Sequence, residues 1–242
     1  IRRLGLDQTC DTLQLGSPFD YATQTKVIVD LSVQPLGRTK PGASTNVIEA
    51  KLSSQNYIAD LSRAIVRHIR STRGGAFVLF TSFRTLDGVA AAIDRELVAM
   101  GCPVLAQGRD GSPGAVLERF RQSQDAVLLG AASFWQGVDV RGRSLRNVII
   151  TKLPFDPPDR PIVEARAEHI RAAGGGPFSE DALPRAILRF KQGFGRLIRS
   201  ATDTGQVVIL DPRVHTTAYG RRFLQALPDG VPIIVDHPQP AR

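Results

Sequence analysis

Two hydrophobic periods alternate along the chain, and the switches between them mark out its elements. Residues 26–33 (KVIVDLSV) alternate as a strand does. Residues 34–44 carry two prolines and two glycines and form a loop. From 46 to 73 the spacing turns helical, with Ile58, Leu61, Ile65 and Ile69 in register, and Gly74-Gly75 stops it. Residues 76–80 (AFVLF) are a short unbroken apolar run of the kind that is buried on both faces of a parallel sheet. The alternation then repeats. A helix is predicted over 84–100, a strand over 103–106, and a helix to 122 opened by Ser112 as N-cap and Pro113 at the first position. Strands follow at 126–129 and 147–153, a helix at 159–173 closed by three glycines, a helix at 179–200 and a strand at 206–210. Asp211-Pro212 opens another turn or helix, and 232–235 is a last strand. Apolar strands alternating with helices predict an α/β domain whose mostly parallel sheet is covered on both faces.

Within the predicted helix at 179–200 the stretch QGFGRLIR (192–199) stands out. At about 100° per residue, Gln192, Arg196 and Arg199 fall on one stripe, with Arg185 and Arg189 behind them. Leu183, Ile187, Phe190, Phe194, Leu197 and Ile198 fall on the other side. Gly193 and Gly195 sit inside this helix, where each costs about 1 kcal/mol relative to Ala. Their presence predicts that another backbone or a ligand comes close. Arginines three residues apart also make a clamp for phosphate oxygens, although a solvated helix face has the same composition.

Ligands of parallel sheets bind beyond the carboxyl ends of the strands. That rule places Thr81 and Ser82, residues 130–139 and residues 151–155 on one rim. Thr81 and Ser82 either donate hydrogen bonds to a phosphate or simply lead a strand into a helix. The segment SFWQGVD (133–139) holds the only Trp of the chain beside a Phe. Such a pair either stacks a base or is core that orders a loop. Asp139 either holds an arginine of the later helix or caps a turn.

Charge narrows the partners. Thirty-one Lys and Arg against 23 Asp and Glu leave a net charge of +8, which favours a polyanion. Two cysteines, Cys10 and Cys102, are too few and too far apart for a disulfide framework or an all-cysteine metal site, and a reducing cytosol suits them. No apolar run approaches the ~18 residues of a membrane span. The chain starts Ile1-Arg2-Arg3, without Met or a signal-peptide pattern, and is expected to be part of a longer protein.

Taken in order, GAFVLFTSF, SFWQGVDV, VIITKLPF and QGFGRLIRS resemble the second motor domain of superfamily 2 helicases of the DinG/XPD type, on the bacterial DinG-like side. LGSPFDY near the start and VVILDPR near the end are similar too. The resemblance therefore covers nearly all of residues 1–242, with 1–45 as the leading strand and loop of the same domain. Gln136 departs from the Glu usual at that position, and altered coupling or DNA contact there, but not a different function, is expected.

The resemblance implies a RecA-like three-layer α/β/α fold, ATP-driven 5′ to 3′ translocation on single-stranded DNA, and DNA repair. It implies catalytic roles for Arg199, Arg196 and Gln192, nucleotide contacts from Gly137, Asp139 and Gly195, and DNA contacts from Thr81, Ser82, Ser133 and Trp135. The sequence has no G-x-x-x-x-G-K-[ST] loop and no Asp-Glu pair for Mg²⁺. ATP and Mg²⁺ are therefore expected to be bound mainly by a first RecA-like domain of the same polypeptide. That domain is also where the family carries its iron–sulfur cluster; no metal site is expected in this chain. The expected protein is a cytoplasmic monomer. The other reading of a basic chain like this is a nucleic-acid-binding module with no motor role.

Overall fold

Four strands are apolar at nearly every position, and they form the middle of the sheet. They are β2 (Ala76–Leu79), β4 (Val127–Gly130), β5 (Asn147–Ile150) and β6 (Gly205–Ile209). With β1 (Thr25–Asp30), β3 (Val104–Ala106) and β7 (Ile233–Asp236) they make one seven-stranded sheet, ordered β3-β4-β2-β5-β6-β1-β7. Every pairing is parallel. The protein is seen here in a computed structural model that describes residues 17–34, 47–135 and 145–237; the side chains of 47–53, 132 and 133 are outside that description.

Alternate strand residues face opposite layers. Phe77, Leu79, Leu128, Val148, Ile150, Val207 and Ile209 point to one core, covered by α4 (Pro113–Gln122), α6 (Leu183–Phe194) and α8 (Ala218–Gln225). Ala76, Val78, Phe80, Val127, Leu129, Ile149 and Val208 point to the other, covered by α2 (Val47–Thr72) and α3 (Phe83–Ala99). This is the α/β/α layering that the periodicity predicts. Short helices α1 (Tyr21–Gln24) and α7 (Arg213–Thr216) complete the set with α5 (Pro161–Ala172). Among the described residues no helix is long and apolar enough to cross a membrane.

Two caps follow the sequence directly. Ser112 Oγ accepts from Ala115 N with Pro113 in the first turn, and Ser82 Oγ accepts from Thr85 N at the start of α3. One element departs from expectation. The helix predicted over 179–200 is a π-helical turn, Phe178–Ala182, followed by α6, which stops at Phe194. Beyond Gly195 the backbone bonds shorten to Arg196 N→Gly193 O and Leu197 N→Phe194 O. The Asp203 carboxylate then takes Arg199 N at 2.9 Å and Ser200 N at 2.8 Å. A tight turn therefore carries the second half of QGFGRLIR, and Gln192, Arg196 and Arg199 do not share one helical stripe.

At the end of β1 the buried carboxylate of Asp30 accepts from His68, from Ser32 N and from Arg67. Burial alone raises a carboxyl pKa. Here the hydrogen bonds from His68 and Ser32 and the charge of Arg67 outweigh it and hold Asp30 well below the usual carboxylate range. A depressed folded pKa stabilises the fold at pH values above the unfolded one, about 3.9, and that stability drains away as pH falls below it. We predict that urea midpoints fall between about pH 5 and pH 2 more steeply for the natural chain than for Asp30→Asn. An equal slope in the two proteins would rule out Asp30 as a main source of the acid sensitivity.

Candidate functional site

The carboxyl ends of β4, β2, β5 and β6 lie side by side and carry most of the residues singled out by sequence. Trp135 leads the set. It ends a 3-10 turn, Ala132–Trp135, that leaves β4. Its indole Nε1 donates to Phe80 O at the end of β2 (2.8 Å). Its own carbonyl accepts from Arg196 Nη2 at 2.7 Å. Its ring lies against Gly193, where an added Cβ would stand 3.0 Å from Cζ3 and 3.2 Å from Leu79 Cδ1. The glycine inside α6 thus makes room for an indole, neither a backbone nor a ligand. Trp135 is only 3% exposed, so of the two readings of the Phe-Trp pair the geometry fits core that orders a loop. Its expected DNA contact is corrected on that ground: a ring covered on its faces has nothing to offer a base.

Arg196 is 6% exposed and turned inward to the Trp135 carbonyl. Arg199 is half-buried beyond the turn, and Gln192 is exposed in the last turn of α6. Gly195 caps α6 at a negative φ and is exposed. Arg185 and Arg189, the rear of the predicted stripe, both reach Asp156, at 3.6 and 2.6 Å, and Arg160 approaches it at 3.8 Å. Burial raises the Asp156 carboxyl pKa, but the Arg189 hydrogen bond and the three positive charges bring it below the ordinary value. Sequence reading missed this partner because Asp156 lies in the loop after β5, far from α6 along the chain. Gln136, Gly137 and Asp139 lie outside the described residues, as does the Ser133 side chain.

Further along the rim, Thr81 and Ser82 line a cleft of about 230 Å³ with Thr85, Arg84, Ser54, Tyr57, Thr151 and Lys152. Thr151 is fixed by Oγ1 donating to Leu79 O at 2.9 Å. Next to it Asp211 is buried and fully engaged. It accepts from Leu153 N at 2.9 Å and from the Arg213 guanidinium through Nε (2.9 Å) and Nη2 (2.5 Å). The Lys152 ammonium is pushed below the usual lysine range by desolvation and by Arg213, against the pull of Asp211.

One group has the make-up of a cation site: Asp30, His68 and Asp236, with ligand atoms within 4.8 Å of one another. Arg67 bonds the same Asp30 oxygen and lies 3.7 Å from Asp236 Oδ2. A guanidinium therefore already lies against both carboxylates.

The profile described as "Helicase C-terminal domain" matches residues 65–230. Among curated proteins, the chain is 41% identical to "ATP-dependent DNA helicase YoaA" of Escherichia coli K12, over 93% of the chain and 32% of that protein. It is 39% identical to "3'-5' exonuclease DinG" of Bacillus subtilis, over 94% of the chain and 23% of that protein. It is 36% identical to "ATP-dependent helicase DinG" of Mycobacterium tuberculosis H37Rv, over 91% and 31%. The chain thus spans between about a quarter and a third of the length of these relatives. Among solved structures, "XPD_Helicase" superposes with a TM-score of 0.62 at 18% identity, over 87% of this chain and 35% of that one. "XPD_APO" gives 0.61 at 17%, over 88% and 40%. At such identity these two likenesses speak for the fold alone, and the fold is RecA-like. The profile match over most of the chain, with the DinG and YoaA relatives, makes this chain a member of the helicase C-terminal domain family, of the DinG/XPD type.

Proposed function

We propose that residues 1–242 form the second RecA-like domain of an ATP-dependent DNA helicase, with 1–45 as its leading strand and loop. In this reading the chain supplies an arginine finger and part of the track for single-stranded DNA. ATP and Mg²⁺ are held mainly by a first RecA-like domain of the same polypeptide, which also carries any iron–sulfur cluster. Movement is 5′ to 3′, in DNA repair, in a cytoplasmic monomer.

One observation carries this reading: three separate segments meet at Trp135. Phe80, which precedes the expected DNA contacts Thr81 and Ser82, receives the indole N–H. Gly193 and Arg196, which flank Gly195, one of the expected nucleotide contacts, pack on the ring and bond the Trp135 carbonyl. A motor has to tie the end that feels nucleotide to the end that feels DNA. A basic module without a motor role has no use for such a tie. The residues fit a nucleotide in part. An exposed amide at Gln192 and a guanidinium at Arg199 suit phosphate oxygens. Arg196 acts behind them, holding the loop that leads to Gly137 and Asp139. When bound, ATP supplies the phosphoryl group whose developing charge the guanidinium of Arg199 stabilises.

Two measurements test the division of labour. The longer protein that carries this domain is expected to hydrolyse ATP faster when single-stranded DNA is added. This chain alone is expected to release no phosphate, since its sequence has neither the phosphate loop nor the metal-binding carboxylates. Turnover by the isolated chain would falsify the split between two domains, and a longer protein without DNA-stimulated hydrolysis would leave only the non-motor module.

A further inference from the structure

Two neighbouring strands bring the segment ahead of β1 to the Arg199 turn. β1 and β6 run parallel, and Thr25 is level with Gly205. Gln24, the last residue of α1, and the turn at 199–203 therefore meet at the amino ends of the two strands. Gln24 is 7% exposed. Its Nε2 donates to Ser200 O at 2.9 Å and to Asp203 O at 3.0 Å. Both partners are carbonyl oxygens, which only accept, so the amide spends both of its N–H groups there. The ring of Tyr21, at the start of α1, lies against Phe194, the last residue of α6, with centroids 5.8 Å apart.

The turn thus has two clamps of opposite polarity. The Asp203 carboxylate gathers the N–H groups of Arg199 and Ser200 from within the turn. The Gln24 amide gathers the carbonyls of Ser200 and Asp203 from outside it. The two clamps do different things. Asp203 belongs to the turn, so it fixes the shape of the turn and travels with it. Gln24 runs straight into β1, so it fixes where that shape sits against the sheet. Leu197 and Ile198 anchor the near end of the turn in the core, and Gln24 anchors the far end. Hydrogen bonds shielded from water, as these are, hold more firmly than exposed ones, and leaving such carbonyls unpaired is costly.

We propose that Gln24 is a positioning residue for ATP hydrolysis. Its amide holds the backbone of residues 200–203 so that the Arg199 guanidinium starts from one fixed place. The assignment rests on the reading of Arg199 as an arginine finger. Gln24 itself touches no nucleotide; it acts through the turn. The same two bonds tie that turn to the segment that runs into β1, which the helical stripe of QGFGRLIR does not include.

The test is steady-state ATP hydrolysis by the longer protein with saturating oligo-dT. Gln24→Met keeps the length and burial of the side chain and removes both donors. It should lower kcat roughly 10- to 100-fold, the scale of a misplacement of about 1 Å. The KM for ATP and the affinity for oligo-dT should stay natural, because a finger acts on the transition state. Gln24→Asn draws the amide back by one methylene; it should lose kcat in the same way and carries the test if the Met variant does not fold. Thr23→Ala is the control, since Thr23 Oγ1 bonds Asp20 at the start of α1 and not the turn. A side chain that merely supports the fold would lower the urea midpoint and leave the kcat of folded protein alone. The deciding arm puts Gln24→Met on Arg199→Lys. With the guanidinium gone the place of the turn no longer matters, so the double variant should be as slow as Arg199→Lys by itself. Natural kcat in the folded Gln24 variants, an equal loss in Thr23→Ala, or a loss that multiplies on the Arg199→Lys background would overturn the positioning role and leave the finger standing. Natural turnover by Arg199→Lys would remove the finger and the positioning role together.

Discussion

Arg199→Lys in the longer protein is expected to lower DNA-stimulated ATP hydrolysis by roughly 10³ to 10⁵, the range for loss of an arginine finger. DNA binding and stability should stay close to natural. The expectation begins with the chain around Arg199. Its own N–H and that of Ser200 are both held by one Asp203 oxygen, at 2.9 and 2.8 Å. The residues before it, Leu197 and Ile198, are buried in the core. The guanidinium thus leaves a fixed base, and little ordering remains to be done when charge develops on a phosphoryl group. Lys keeps the charge but loses the planar pair of donors. If Arg199 served only a surface carboxylate, the exchange would shift stability by about 0–1 kcal/mol and leave turnover alone. Natural turnover from a folded Arg199→Lys enzyme would sink the assignment. Asp203→Ala is a useful companion, because it frees the turn without touching the guanidinium and should give a smaller loss.

Trp135→Ala is expected to be the most destabilising single change near the site. Emptying the space of a buried aromatic costs about 3–5 kcal/mol. The carbonyl of Phe80 also loses its indole donor, which adds a penalty of about 1–3 kcal/mol for a buried unpaired group. In a chain of this size the midpoint of thermal unfolding should drop on the order of 10 °C. Trp135→Phe keeps an aromatic ring in the site but loses three ring atoms along with the N–H, so its loss should exceed the second figure alone and stay below that of Trp135→Ala. Far-UV circular dichroism during heating and urea titration gives both values; tryptophan fluorescence does not serve, since the variant removes the only Trp. A Trp135→Ala chain within about 1 kcal/mol of natural stability would mean that the indole does not hold the three segments together.

The strands and α4 were legible in the sequence for local reasons. An apolar run such as AFVL has no exposed face to alternate with, and Ser112-Pro113 carries its own capping chemistry. The end of α6 was not legible. Leu197 and Ile198 continue the helical period and are indeed buried, so period alone cannot separate a longer helix from a helix followed by a tight turn. What decides it is Asp203, several residues on, and Trp135, a remote ring that fills the space of Gly193. The strand-end rule placed Thr81, Ser82 and the segment containing Lys152 on one edge. Tyr57 was silent, because nothing in a helical stretch tells which of its side chains will overhang the end of a strand two elements away. Asp156 was missed for the same reason: its three arginines come from α6 and from the start of α5, and only the folded loop brings them together.

The sheet order has a bearing on how this chain comes to be folded at all. β1 lies between β6 and β7, pairing Thr25 with Gly205 and Val27 with Ile233. Within this sheet β1 therefore waits for two strands that come much later in the chain before either of its edges is covered. Pairings between such distant parts of a sequence form slowly, and an apolar strand with two open edges invites association with other chains in the meantime. Any truncation that stops short of β6 strands β1 permanently, so the domain has to be cut outside residues 25–236 if it is to be made as a stable piece.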